Sequence, residues 1–188
     1  MRTPRRVFEQ RQVWRVTPDL LATATELLTR AIAQDHRTVD HVIGIANGGT
    51  TPAHMIASAL GTQAHIVHAR HNRSANAIYQ QATGNVHLNL DLLTHSLNGQ
   101  RLQGCVLLVD DICGSGATLD RVRTEMGRLA DPSAVLTTAV LCLNTGATVL
   151  PDYSIWTISD WVVFPWEQAP VDHKLLPLPT PEGVARHA

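Results

Sequence analysis

At 188 residues, 44% of them hydrophobic and 16% charged, the chain is long enough for one domain with a full core and short for two. These fractions exclude a disordered or collagen-like polypeptide, and a net charge of −1 with lysine very scarce speaks against a protein whose main business is nucleic acid. No run approaches a membrane span and the basic opening MRTPRRVFEQRQ lacks the apolar stretch of a signal peptide, so a cytoplasmic protein without a membrane partner is expected.

In chain order, residues 12–16 (QVWRV) read as a short strand. Thr17-Pro18 is a helix start, a capping hydroxyl followed by proline at the first helical position. Leu20, Leu21, Ala24, Leu27, Leu28, Ala31 and Ile32 then recur at helical spacing. The run 41–46 (HVIGIA) is a buried strand ending in Asn47-Gly48-Gly49, after which Thr51-Pro52 restarts a helix that Gly61 ends. Residues 64–69 make another strand. Residues 70–100 are polar and without strong period, an excursion expected to be a hairpin arm or binding loop. Val106 to Val109 is a continuous apolar strand, and Leu119, Val122, Met126 and Leu129 form one face of the following helix. Two more strands follow at 134–143 and 153–158, and the tail from Leu175 is proline-rich and expected to be extended or disordered.

This alternation predicts an α/β fold: one domain over 1–188, core about 12–167, with a central parallel sheet flanked by helices and a flexible tail over 175–188. Cys105, Cys113 and Cys142 lie far apart and read as small buried hydrophobes of a reducing compartment. His65, His68 and His71 alternate faces of a strand, which argues against one metal site.

The chemistry concentrates in residues 106–118, VLLVDDICGSGAT. Ligands of open parallel sheets bind beyond the carboxyl ends of the strands, and there Asp110 and Asp111 stand side by side. Adjacent acids after a strand are ordinarily a solvated strand end. Here Cys113, Gly114, Ser115, Gly116, Ala117 and Thr118 follow and lead into a helix, so backbone N–H groups, hydroxyls and a helix N-terminus make a phosphate cradle. It lacks the Gly-Lys-Ser/Thr ending of a Walker A loop, and its acids precede the loop instead of following it as in a dinucleotide fingerprint. Carboxylates for hydroxyls beside amides for phosphate suggest a sugar phosphate.

VLLVDDICGSGAT resembles the phosphoribosyl pyrophosphate (PRPP) signature of the type I phosphoribosyltransferases. The resemblance implies that Asp110 and Asp111 contact the ribose hydroxyls, directly or indirectly hold Mg²⁺ and are catalytic, while Cys113 and Gly114 to Thr118 bind the 5-phosphate. The segment 45–49 (IANGG) resembles the family's pyrophosphate loop, which implies backbone contacts from Asn47, Gly48 and Gly49 and a non-proline cis peptide between Ala46 and Asn47. The family carries Arg or Lys where this chain has Asn47, and Arg70 or Arg73 is the expected replacement charge. The segment 161–167 (WVVFPWE) resembles the C-terminal part of bacterial xanthine-guanine phosphoribosyltransferases. It implies a small hood in which Trp161 stacks on the acceptor base with Val162 and Glu167 at the base edge.

Two departures concern the acceptor. Enzymes for 6-oxopurines carry an aspartate where this chain has Gly114, and a lysine near the stretch Leu143-Asn144-Thr145, which has none. The expected activity is therefore Mg²⁺-dependent transfer of 5-phosphoribosyl from PRPP to a nitrogen acceptor, a purine-like base or another acceptor of secondary metabolism, with release of pyrophosphate. Glu167, Asp160 or solvent would serve as base where one is needed. The alternative is a PRPP-binding regulator of the same fold without catalysis. The resemblance also implies a homodimer or higher homo-oligomer.

Overall fold

The computed structural model describes residues 7–9, 11–36, 38–71, 86–171 and 173–187. Helix α1 (Pro18–Asp35) begins where the sequence places it: the Thr17 hydroxyl accepts a hydrogen bond from Leu20 N at 3.2 Å, and Pro18 occupies the first turn, where no intrahelical donor is needed. Strand β2 (His41–Ala46) leads into α2 (Thr50–Leu60), and β3 (Ala64–His71) follows. After β5 (Cys105–Cys113) comes α4 (Ala117–Leu129), then β6 (Val135–Asn144) and β7 (Tyr153–Ile158).

The main sheet has seven strands in the order β10-β7-β6-β5-β2-β3-β4. Its five inner strands run parallel, and β4 (Val86–Asn89) and β10 (Ala185–Arg186) close the edges antiparallel. Parallel strands are covered on both faces and therefore need continuous apolar sequence, which β2 and the first half of β5 supply. On one face Leu28 and Ile32 of α1 and Ile56 of α2 pack against Leu107, Val109 and Leu141. On the other, Leu119, Val122 and Met126 of α4 and Leu93 of α3 (Asp91–Leu97) pack against Ile43, Ile45 and Leu108. Among the described residues no helix is long and apolar enough to cross a membrane.

Three expectations need correction, and a fourth, the arm after residue 70, is borne out in part, β4 pairing antiparallel with β3. The first strand, β1 (Val13–Arg15), is not in the main sheet. It is the centre of a separate three-stranded parallel sheet, β8-β1-β9, with β8 (Trp161–Val163) and β9 (Leu175–Pro177), so both ends of the chain build the hood. Strand β5 does not stop at Val109 but pairs with β6 through Cys113, carrying the two aspartates within its last turn of ladder. The excursion after residue 70 contains β4 and α3, while residues 72–85, with Arg73, lie outside the described residues. The proline-rich tail is extended but tied down. Leu178 N donates to Arg15 O at 3.0 Å, Trp156 Nε1 to Pro179 O at 2.9 Å and His187 N to Asp152 O at 3.0 Å, and Arg186 pairs with Asp35. Proline removes donors from such a segment, and neighbouring strands and side chains supply the partners instead.

Candidate active site

Neighbouring parallel strands β2 and β5 end side by side, with Gly44 paired to Val109. Beyond β2 the peptide Ala46–Asn47 is cis, and Asn47-Gly48-Gly49 turn the chain into α2. This turn lies directly on the end of β5. A Cβ on Gly48 would fall on the Asp111 carboxylate, and one on Gly49 would sit 2.9 Å from Asp110 Cα and 2.8 Å from Ile45 O. Only glycine permits that approach. The two segments that the sequence separates by some sixty residues are thus one surface.

Asp110 is 9% exposed and its carboxylate accepts from Asp111 N at 3.0 Å. Burial, and after it the adjacent Asp111 carboxylate, hold its carboxyl well above the usual carboxylate range. A buried acid whose neighbour carries the same charge is held in place for a ligand that relieves both penalties, a hydroxyl donor or a cation.

The loop after β5 is braced from the far side. Ser115 is buried, its hydroxyl accepts from Ala117 N at 3.3 Å, and its carbonyl accepts from Thr148 N at 3.1 Å and Thr148 Oγ1 at 3.3 Å. Gly116 has φ 92°, and a Cβ there would meet Val149 Cβ at 2.6 Å and Val149 O at 2.7 Å. The Cys113 thiol turns into the core and reaches Val149 O at 3.3 Å, so that residue can offer a ligand only its backbone. Burial, with the Asp110 charge adding to it, pushes this thiol up to about 12.

Two helix starts converge here. The residues that cap α2 and α4, Gly49 and Gly116, carry no side chain to satisfy the first-turn N–H groups, and on α4 the Ser115 hydroxyl takes only that of Ala117. Such a helix N-terminus is an anion site through its orphan donors and its dipole. Two of them flank a pair of carboxylates, an arrangement suited to a ligand with phosphates at both ends and hydroxyls between. The carboxylates also suit a hard divalent cation. No group of three His, Cys, Asp or Glu among the described residues would hold a metal unaided, which fits a Mg²⁺ bound by one or two carboxylates and completed by ligand oxygens. Arg70 sits on β3 opposite His87.

Trp161, the residue expected to stack on an acceptor, lies on β8 of the hood. In register, Trp161 shares a sheet face with Val13 and Leu175, whereas Val162 shares the other with Trp14 and Leu176 and is buried in the core. The Val162 side chain therefore does not reach a base. Its backbone does face outward: Val163 O accepts from Val16 N, so by parallel alternation the amide groups of Val162 point to the open edge of β8. Glu167 is exposed, and its carboxylate accepts from Phe164 N at 3.0 Å, closing the 164–167 turn. Asp160 is buried and accepts from Arg11 N at 3.1 Å.

Sequence reasoning did not find two residues here. Asn144, at the end of β6 and 1% exposed, donates to Val7 O and accepts from Val7 N, both at 2.8 Å, and accepts from Gly146 N at 3.0 Å. Phe8 then stacks on Trp161, ring centroids 5.7 Å apart and planes 26° from parallel. Their partners lie more than a hundred residues away in sequence, and no local spacing signals them.

A family model, the phosphoribosyl transferase domain, matches residues 16–173. Among solved structures, the chain is similar to a purine phosphoribosyltransferase from Pyrococcus horikoshii Ot3 at 24% identity and a TM-score of 0.70, covering 87% of this chain and 99% of that one. It is also similar to a xanthine-guanine-hypoxanthine phosphoribosyltransferase from Helicobacter pylori (19%, 0.64, 83% and 94%). A third likeness is to a hypothetical protein from Neisseria gonorrhoeae with bound ppGpp (22%, 0.63, 86% and 92%). At these identities the likenesses concern the fold. A comparison with curated proteins by sequence found no match.

Proposed function

We propose that this chain, which belongs to the phosphoribosyl transferase domain family, transfers 5-phosphoribosyl from PRPP to a nitrogen acceptor and releases pyrophosphate. One observation carries the reading: two helix starts capped by glycine, α2 after Gly49 and α4 after Gly116, flank the carboxylates of Asp110 and Asp111. The Gly48-Gly49 turn takes the pyrophosphate on its backbone, the 114–118 loop takes the 5-phosphate, and the two aspartates take the ribose hydroxyls. Bound Mg²⁺ would supply charge neutralisation between the ribose hydroxyls and the pyrophosphate, held by Asp110 and Asp111 directly or through water.

The chain's own contribution is positioning and charge. Fixing the donor at both phosphates holds the anomeric carbon toward the hood, and the carboxylates below it favour positive charge developing on the ribose. Asp110 and Asp111 are the residues most sensitive to that charge. Glu167 and Asp160 are both engaged with backbone N–H groups, so an acceptor that reacts without a protein base suits the site best. The acceptor is a planar nitrogen base that needs neither a carboxylate at position 114 nor an ammonium at 144. We also propose that the protein works as a homodimer, which light scattering tests directly.

A second reading, a PRPP-binding regulator without catalysis, is favoured by Phe8 lying against Trp161. One experiment separates the two. The protein is incubated with PRPP, Mg²⁺ and a panel of purines, deazapurines and pyrimidines, and pyrophosphate is measured. Release with one or more bases establishes the transferase; tight PRPP binding without release for any base establishes the regulator. No PRPP binding at all overturns both.

A further inference from the structure

The segment before β1 forms a strap across the carboxyl ends of β6 and β7. Three side-chain hydrogen bonds at Asn144 fix Val7 and the following turn, Glu9 N donates to Ser159 O at 2.9 Å, and Arg11 N donates to Asp160. Asn144 and Asp160 are both buried, and their carbonyl and carboxylate groups are spent on this strap and its neighbouring turn. The strap places Phe8 against Trp161, the two rings stacked.

Two aromatic planes that sandwich a third must stand about 7 Å apart, twice the ordinary stacking distance. The Phe8 and Trp161 rings, 5.7 Å between centroids, leave no room for a base between them. The backbone of the strap is tied by the polar bonds above, and beside it lies a cavity of about 300 Å³ lined by Glu9, Arg11, Trp14, Trp156 and Leu178, space into which it could shift.

We propose that Phe8 is the acceptor-selecting residue of the site: its ring occupies the stacking face of Trp161, and an acceptor binds only by displacing it. This rests on the reading of Trp161 as the acceptor platform. The selection is physical. Every acceptor must repay the lost Phe8–Trp161 stack and the bent strap, so large flat heteroaromatic bases pass and small or weakly stacking ones do not. Asn144 acts through Phe8 as a positioning residue, since it holds the backbone one residue before the ring.

The test is calorimetric titration of the full chain with adenine and, separately, hypoxanthine, in the presence of magnesium pyrophosphate so that no turnover intervenes. Phe8→Ala is expected to tighten binding of both bases by about tenfold, Phe8→Tyr to behave as the unaltered chain, and Phe8→Ala/Trp161→Ala to lose the gain. PRPP affinity is expected to stay the same in all three. Unchanged or weakened base binding in Phe8→Ala overturns the proposal, as does a gain that survives removal of Trp161. Phe8→Leu, which keeps an apolar anchor without a flat ring, is expected to show part of the gain; no gain there, should Phe8→Ala not fold, also overturns it. Failure of PRPP to bind any of these proteins would sink the transferase reading, while the base titration still scores Phe8.

Discussion

The donor half of the site and the acceptor half are built on different principles. The donor half consists of two strand–turn–helix units, β2 to α2 and β5 to α4, set next to each other by the ladder between β2 and β5. Each binding group sits within a few residues of the strand that places it, and much of the recognition is done by backbone. The acceptor half has no such unit. It is assembled from the strap at residues 7–9 and 11–12, the end of β6 at Asn144, and β8 and β9 of the hood. Its contacts are side-chain contacts over sequence separations such as the 137 residues between Val7 and Asn144. A contiguous backbone device tolerates little change, whereas a composite of side chains can be altered one residue at a time. On the proposed assignment, the difference puts donor recognition on contiguous backbone and acceptor choice on side chains gathered from distant parts of the chain.

The comparison breaks most decisively at the aspartates. Asp110→Asn combined with Asp111→Asn is expected to lower turnover at least about a thousandfold while the far-ultraviolet circular dichroism stays that of the folded chain. Retained turnover would remove the donor assignment. Next in size are the two glycines of the pyrophosphate turn, which should part company. Gly49→Ala drives a methyl into backbone, Ile45 O and Asp110 Cα, and is expected to cost about 1–3 kcal/mol, read as a lower Tm, together with PRPP binding. Gly48→Ala meets only the Asp111 carboxylate. That group can turn away, so PRPP affinity should fall about tenfold with Tm nearly unchanged; equal Tm losses for both would contradict the geometry.

On the acceptor side, Asn144→Ala frees the strap and is expected to lower stability by about 1–3 kcal/mol, about 2–4 °C in Tm per kcal/mol for a chain of this size. PRPP affinity should not follow, and a parallel loss would mean that the halves are coupled. The smallest effect has the opposite sign. Asp110 titrates above its unfolded value near 3.8, so folding favours the protonated form, and its contribution to stability falls as pH rises from the unfolded value toward the folded one. Asp110→Asn should therefore raise Tm by a few degrees at about pH 8 and leave it unchanged near about pH 3. Thermal scans at the two pH values check this, and a Tm that rises equally at both would refute it.

What could be read from the amino-acid sequence follows the same division. The apolar runs at 41–46 and 106–109, the Thr17-Pro18 start and the glycine-rich turns each carry their signal within a few residues, and each folds where that signal puts it. The extension of β5 through Asp110 and Asp111 was not legible, because charged residues in a strand read as its end unless a neighbouring strand is known to pair with them. The place of β1 was not legible either: VWR reads as a strand, but its choice between the main sheet and the hood depends on β8 and β9, far along the chain. Phe8 and Asn144 were invisible as a pair for the same reason. Val162, expected at a base edge, has its side chain in the core and turns only its backbone amide groups outward.

That β1 lies between β8 and β9 also dictates an order of events during synthesis. Its two neighbours are made some 150 residues after it, so the strand leaves the ribosome early and gains its first partner in its own sheet only with β8 at residues 161–163 and its second with β9 at residues 175–177. The donor pocket can close once β6 has added to β5, with the chain still growing, because its parts are local and complete by then. The hood pays a long loop closure and comes last. A nascent chain halted shortly before β8 would thus be expected to present the proposed sugar-pyrophosphate pocket with no roof.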